Sequence, residues 1–104
     1  MNLALLGINH RTAPVEVRER MNIPESSLSA ATADLVRRDG IDEGLILSTC
    51  NRVEVIVNGG DEIEIEPIIH RFLADHHHCN LAPFETFFYR QRQRQVVEHL
   101  FRVA

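Results

Sequence analysis

The chain contains four short apolar runs whose composition favours β-strands. Residues 3–8 are continuously apolar, which is typical of a central strand buried on both faces. Residues 45–47 and 53–57 form two further runs on either side of a short polar break. Residues 84–89, which are rich in aromatic side chains, are the fourth strand candidate. Together the four runs predict one small sheet.

Segments in which apolar residues have helical spacing lie between these runs and after the last of them. Residues 14–21 open with a proline, which suits a first helical turn, and predict a short helix. Residues 25–38 predict a second helix, which Gly40 ends. A third helix is predicted from residues at i, i+3, i+4, i+7 and i+8, namely Ile65, Ile68, Ile69, Phe72 and Leu73. A final helical stripe consists of Val96, Val97, Leu100, Phe101 and Ala104.

The order of these elements matches the split β-α-β-β-α-β arrangement. We therefore predict an α+β, ferredoxin-like fold, with a four-stranded antiparallel sheet and helices packed on one face. The polar break at residues 48–52 would join the second and third strands at one end of that sheet. Because many unrelated functions use this fold, the function has to be argued from the site.

Composition limits the classes of protein that need to be considered. The 104 residues suffice for a single domain, and 44% apolar and 25% charged residues are ordinary globular values. A net charge of −4 argues against non-specific electrostatic binding of nucleic acid by the whole surface. No apolar run approaches the roughly 20 residues that span a bilayer. A cytoplasmic protein without membrane contact is expected, and a disulfide between Cys50 and Cys79 is not.

The polar break contains the main candidate for a nucleophile, Cys50. A thiol reacts as its thiolate, which a nearby cation favours. Arg52, two residues further on, would lie on the same side as Cys50 if the segment is extended. Thr49 and Asn51 offer hydroxyl and amide groups that could orient a polar substrate. The alternative is that Cys50 is a small buried hydrophobe at a strand end, and these neighbours alone leave both interpretations open.

The run His76-His77-His78-Cys79 resembles a metal tract in composition. Consecutive helical residues point about 100° apart, however, so adjacent histidines do not readily close a tetrahedral site. We expect no metal there and interpret the imidazoles as a solvated helix end that caps carbonyl groups.

Two other features have both a structural and a functional interpretation. Arg90, Arg92 and Arg94 alternate with glutamines and could contact a phosphate backbone if extended, although a solvated loop is favoured. His99 lies at the margin of the last helical stripe, where an imidazole reaches a cleft rim or simply packs.

Three segments in colinear order resemble a known family. They are the opening L-L-G-I-N-H-R-T-A-P-V-E-V-R-E-R, the central S-T-C-N-R-V-E-V and the closing H-L-F-R-V-A. Together they resemble the N-terminal catalytic domain of glutamyl-tRNA reductase over essentially the whole chain. One departure is Ile56, where the family commonly has an aromatic residue, which we interpret as a packing change.

The resemblance implies a role for several residues. It implies that Cys50 is the nucleophile, that Thr49, Asn51 and Arg52 help to hold the glutamyl group, and that His99 is important for activity. The thiolate would attack the glutamyl-tRNA ester to give an enzyme thioester. The full-length enzyme would then reduce this thioester to glutamate-1-semialdehyde in tetrapyrrole (porphyrin and haem) biosynthesis.

The resemblance also implies what lies outside this chain. Residues 1–104 would be the thioester-forming domain, whereas the domains for NADPH binding and dimerisation would follow residue 104. NADPH would then be the cofactor of a missing domain, with no cofactor-binding residue here. The expected partners are glutamyl-tRNA, a second subunit of a homodimer and glutamate-1-semialdehyde aminotransferase.

Two alternatives belong to other functional classes. The domain could be a non-catalytic ferredoxin-like module that binds a ligand or RNA, with an inert cysteine. The His/Cys tract could also bind zinc, against the expectation given above.

Overall fold

The computed structural model of the protein describes residues 1–103 and contains four strands, four α-helices and one 3₁₀ helix. In chain order the elements are β1 (Leu3–Asn9), α1 (Val15–Met21), α2 (Glu25–Arg37), β2 (Ile41–Ser48), β3 (Arg52–Gly59), α3 (Ile65–His77), the 3₁₀ helix (Ala82–Phe87), β4 (Tyr89–Arg92) and α4 (Arg94–Val103). The predicted α+β, ferredoxin-like fold is confirmed. Ala104, the last residue of the predicted final helix, lies outside the described residues.

The four strands form one antiparallel sheet in the order β2-β3-β1-β4. The two central strands, β3 and β1, are almost entirely buried. Their register pairs Gly7 with Glu54 and Asn9 with Arg52, while Gly7 also pairs with Tyr89 on β4. This register brings residues from three strands together at one end of the sheet.

The sheet separates two apolar layers because side chains of a strand alternate between its faces. On one face Ala4, Leu6 and Ile8 of β1 pack in a large core with buried residues of α1, α2 and α3. On the other face Leu5 packs in a smaller cluster with Ile56 of β3 and Val96 of α4. The helix that follows β4 therefore covers the face opposite to the other three helices, so the prediction that the helices pack on one face is wrong for α4.

The prediction that residues 84–89 form a strand is wrong. Residues Ala82–Phe87 form the 3₁₀ helix, and the edge strand β4 begins only at Tyr89. Pro83 occupies the first turn of the 3₁₀ helix, where the fixed φ of proline suits a helical start. The aromatic side chains Phe84 and Phe87 pack against the large core from this turn rather than from a strand.

No helix among residues 1–103 combines the length and the apolar character that crossing a bilayer requires.

Candidate active site

Cys50 lies in the tight connection between β2 and β3 and is exposed. Thr49 closes this connection: its backbone N–H donates to the carbonyl of Arg52 at 2.8 Å, and its Oγ1 accepts the backbone N–H groups of Asn51 and Arg52, each at 3.2 Å. The hydroxyl hydrogen of Thr49 stays available to a ligand because Oγ1 acts only as an acceptor in these bonds. The thiol is therefore presented on a fixed turn rather than buried at a strand end.

Ser48 ties this turn to the junction between α1 and α2. Its Oγ accepts the backbone N–H of Ile23 at 2.9 Å and donates to Oδ1 of Asn22 at 3.0 Å. Cys50 consequently lines a cavity of about 470 Å³ between the turn and this junction. In the sequence, Ser48 is one polar residue of the break, and nothing in the pattern distinguishes it from its neighbours.

The expectation that Arg52 lies on the same side as Cys50 is wrong. Cys50 and Asn51 form a bend instead of an extended segment, and β3 begins only at Arg52. The guanidinium of Arg52 approaches Glu54 Oε2 and His99 Nε2, each at 3.4 Å, on the face that α4 covers. The cavity beside Cys50 is bounded instead by the helices of the opposite face.

Glu54 is a fully buried carboxylate, with 0% of its surface exposed, in the middle of the apolar strand β3. Its Oε2 accepts a hydrogen bond from the hydroxyl of Tyr89 and lies 2.6 Å from Nε2 of His99 and 3.4 Å from Nη1 of Arg52. We call Arg52, Glu54, Tyr89 and His99 the Glu54 network. These partners compensate for the lost hydration of Oε2, whereas Oε1 is buried without a hydrogen-bond partner among residues 1–103.

The hydrogen bond to Glu54 also assigns the tautomer of His99. Because a carboxylate oxygen accepts, Nε2 of His99 carries the hydrogen, and the 3.4 Å approach of Arg52 to Nε2 is a contact between two donors. Nδ1 is then the nitrogen left to act on a ligand. His99 itself is buried within α4, so its position is set by packing as well as by Glu54.

Tyr89 completes the network from the edge strand. Burial, followed by the hydrogen bond to Glu54 and the charge of Glu54, raises the pKa of the Tyr89 phenol above its ordinary value near 10. The phenol therefore stays protonated and continues to donate to Glu54. Its ring lies edge-on to His99, with 6.4 Å between the ring centroids.

Gly7 makes space for the buried Glu54 side chain. It faces Glu54 in the register of β1 and β3, and a Cβ atom at Gly7 would lie 2.8 Å from Cγ of Glu54 and 2.9 Å from the carbonyl oxygen of Val53. Both separations are shorter than van der Waals contact, so only glycine fits without displacing the carboxylate.

The structure thus divides the candidate residues between two sites. Thr49, Cys50 and Asn51 share the exposed turn, whereas Arg52 and His99 meet on the other face of the sheet. Glu54 and Tyr89 were missed by sequence analysis. The signal for Glu54 was present, since an acidic residue inside an otherwise apolar strand is a buried charge in need of partners.

The tract from His76 to Cys79 ends α3, as predicted. Among residues 1–103 no group of three or more His, Cys, Asp or Glu side chains is arranged to hold a metal ion. His78 adopts the left-handed conformation (φ 51°) and its backbone N–H bonds back to the carbonyl of Asp75. Burial, followed by the neighbouring His76, lowers the pKa of His77 below its ordinary value.

The alternating arginines do not form a free cationic row. Arg90 pairs with the carboxylates of Glu66 and Glu85, and Arg92 donates to Oδ1 of Asn2 at 3.3 Å. Arg94 already belongs to α4.

The fold and the turn define the class of protein: a split β-α-β-β-α-β domain that presents an exposed thiol at one end of its sheet. Residues 6–104 match the family model described as "Glutamyl-tRNAGlu reductase, N-terminal domain". The chain therefore belongs to the glutamyl-tRNA reductase N-terminal domain family.

Individual relatives agree with this family. The chain is 46% identical to "Glutamyl-tRNA reductase 2" of Koribacter versatilis over 107 residues, covering 100% of this chain and 23% of the relative. It is 43% identical to "Glutamyl-tRNA reductase" of Solibacter usitatus, covering 25% of that protein. The solved glutamyl-tRNA reductase from Methanopyrus kandleri superposes with a TM-score of 0.69 and 28% identity, over 97% of this chain and 21% of that one. The chain spans about a quarter of the length of these proteins.

Proposed function

We propose that residues 1–104 are the catalytic domain of a glutamyl-tRNA reductase, in which Cys50 takes the glutamyl group from glutamyl-tRNA. The observation that carries this proposal is the exposed thiol on a hydrogen-bonded turn at one end of the sheet. A nucleophile must be accessible to its substrate and held in place, and this turn meets both conditions.

The proposed step is an acyl transfer. The Cys50 sulfur forms a bond to the ester carbonyl carbon, the bond from that carbon to the ribose oxygen breaks, and the proton that leaves the thiol balances the one gained by the ribose hydroxyl. The products are an enzyme thioester and free tRNA. Because the thioester is a better electrophile than a carboxylate, this step prepares the glutamyl group for reduction.

The remaining residues would bind and orient the acyl group. Thr49 retains a hydroxyl hydrogen for the carbonyl oxygen, and Asn51 is exposed beside it. Arg52 offers a guanidinium fork to the side-chain carboxylate of glutamate. We assign to His99 one of two roles, both through Nδ1 because Nε2 donates to Glu54. Nδ1 either takes the thiol proton and passes it to the leaving ribose oxygen, or orients the ester by accepting a hydrogen bond from the α-ammonium group of the glutamyl moiety.

Glu54 is then a positioning residue for Arg52 and His99. It holds the guanidinium and the imidazole from a site without solvent, and Tyr89 holds the carboxylate in turn. This arrangement fixes two groups from different elements before a substrate arrives, which lowers the cost of ordering them.

The reduction itself requires groups beyond the described residues. NADPH, which supplies a hydride when bound, needs a glycine-rich phosphate-binding turn in its usual folds, and residues 1–103 offer an antiparallel sheet and no G-x-G-x-x-G motif. The residues present do not fit the cofactor, so we assign NADPH binding to a separate domain of the full-length enzyme. That enzyme would release glutamate-1-semialdehyde for tetrapyrrole synthesis.

We extend the proposal to location and partners. The full-length protein would act in the cytoplasm as a homodimer joined through a C-terminal domain, with glutamyl-tRNA as substrate. Glutamate-1-semialdehyde aminotransferase would receive the reactive product.

Release of tRNA tests the acyl-transfer step. We expect this chain to deacylate glutamyl-tRNA charged with radiolabelled glutamate and to retain label on the protein, whereas Cys50→Ser should retain none. Cys79→Ser is the matched control and should behave like the unsubstituted chain. Binding of glutamyl-tRNA without transfer of label would support the non-catalytic RNA-binding module instead.

A further inference from the structure

We propose that the cavity beside Cys50 binds the 3′-terminal nucleotide of the tRNA, the leaving group of the acyl transfer. This inference rests on the proposed function and adds a subsite to it. The cavity has a volume of about 470 Å³ and lies between the turn that carries Cys50 and the junction of α1 and α2.

The position of the cavity separates it from Arg52 and His99, two of the residues proposed for the acyl group, while Thr49 and Cys50 line it. Arg52 and His99 lie on the face of the sheet that α4 covers, whereas the cavity is lined by residues of α1, α2 and their junction. An ester carbonyl at the sulfur of Cys50 carries the acyl chain and the ribose oxygen as two different substituents. With the acyl chain directed to Arg52, the ribose is directed to the cavity, and of the two roles assigned to His99 this orientation favours orienting the ester over proton transfer.

Arg18 supplies the cation that a nucleotide requires. Its Nη1 donates to the carbonyl of Ala13 at 2.8 Å, which anchors the guanidinium beside the cavity. Its Nε has no hydrogen-bond partner among residues 1–103 but is shielded from solvent, so a ligand reaches this partly exposed side chain through its terminal Nη atoms. An anchored guanidinium with unused donors suits a phosphate oxygen, which accepts charge-assisted hydrogen bonds. The 5′ phosphate of the terminal nucleotide is the nearest one to the ester.

The other lining groups fit the rest of a nucleotide. Val15 and Pro24 are exposed apolar side chains that offer a surface for a base. Glu19 and Glu25 place carboxylates at the same cavity, and carboxylates accept hydrogen bonds from ribose hydroxyls. Two carboxylates beside one arginine disfavour more than one phosphate group inside the cavity. They favour a ligand that combines a single phosphate with several hydrogen-bond donors.

Protection of the thiol tests this subsite without relying on turnover. The probe is the trinucleotide C-C-A, and the readout is the rate at which iodoacetamide alkylates Cys50 as the trinucleotide concentration rises. Cys79, which does not line this cavity, is the internal reference. We expect the trinucleotide to slow alkylation of Cys50 and to leave Cys79 unchanged.

Substitutions on α1 test whether the protection of Cys50 results from trinucleotide bound in the cavity. Arg18→Gln should raise the concentration needed for half-protection about tenfold, because it removes a charge-assisted hydrogen bond. Arg20→Gln is the matched control: Arg20 lies on the same helix, stacks on the ring of Phe84 and does not line the cavity, so half-protection should not change. Should Arg18→Gln fail to fold, Arg18→Lys retains the charge without the fork and should give a smaller shift.

Two outcomes would overturn the subsite: equal alkylation of Cys50 with and without the trinucleotide, or equal half-protection in the Arg18 variants and the unsubstituted chain. The proposed function is judged separately by transfer of glutamate to Cys50. Transfer without protection removes the subsite and leaves the function, whereas protection without transfer leaves nucleotide binding and removes the function.

Discussion

Tyr89 is the one tyrosine of the chain, so its ionisation reports directly on the Glu54 network. In a rapid upward pH jump, we expect tyrosinate absorbance to appear with a midpoint well above pH 10, because burial and then Glu54 raise the pKa of the phenol. Glu54→Gln removes the charge and should lower that midpoint towards 10. Glu43→Gln, an exposed change on β2, is the control. A midpoint near 10 in the unsubstituted chain would contradict the network.

The same pKa shift has a consequence for stability. The folded phenol holds its proton more tightly than the unfolded one, so the folded state binds more protons above pH 10. The stabilisation is complete below about pH 10 and is lost as the pH rises towards the folded pKa. Denaturant titrations above pH 10 should therefore give a falling free energy of unfolding, with a shallower fall in Glu54→Gln.

Substitution of Gly7 on strand β1 tests how the sheet accommodates the buried carboxylate of Glu54. We expect Gly7→Ala to reduce the free energy of unfolding by about 1–3 kcal/mol, because the new Cβ would overlap the backbone oxygen of Val53 and the side chain of Glu54. It should also lower the Tyr89 midpoint by displacing Glu54.

Gly60→Ala is the matched control for Gly7→Ala. Its Cβ would meet only the flexible side chain of Ile63 at 3.0 Å, so a smaller loss is expected, with no change in the Tyr89 midpoint. Equal losses in the denaturation curves of the two variants would refute the steric argument.

The elements that the sequence predicted well are those with continuous burial. The apolar runs of β1 and β3 are central strands, and the spacing in α3 leaves four of its residues buried: Ile65, Ile69, Phe72 and Leu73. β2 is longer than its apolar run because it is an edge strand, whose outer positions Asp42 and Glu43 are exposed.

The errors arose where local composition competed with tertiary contacts. Aromatic residues at 84–89 have strand propensity, yet Pro83 and packing of Phe84 and Phe87 on the core favour a 3₁₀ turn. The Glu54 network joins residues from β3, β4 and α4, so it depends on strand register. Periodicity within single segments cannot supply that register.

The molecule as a whole is acidic, and its charge distribution predicts where RNA does not bind. Arg90 is held by Glu66 and Glu85 on a partly exposed surface. We expect Arg90→Gln to leave the affinity for glutamyl-tRNA and its salt dependence unchanged within about twofold, and to cost about 1 kcal/mol or less in stability.

Filter binding across a salt series measures the affinity of Arg90→Gln for glutamyl-tRNA and the salt dependence of that affinity. Arg18→Gln is the comparison variant, since it alters a cation of the proposed nucleotide subsite and should weaken binding. A large loss of affinity in Arg90→Gln, with a reduced salt slope, would show that the arginine row contacts phosphates after all.

The thiol of Cys50 is the central group of the proposed acyl transfer. Mass spectrometry of the intact protein and its peptides, after exposure to glutamyl-tRNA and quenching in acid, measures that chemistry directly. We expect one glutamyl group on the peptide that contains Cys50, sensitive to hydroxylamine as thioesters are, and none on the peptide that contains Cys79. An unmodified Cys50 beside deacylated tRNA, or a glutamyl group on any other residue, would contradict the account.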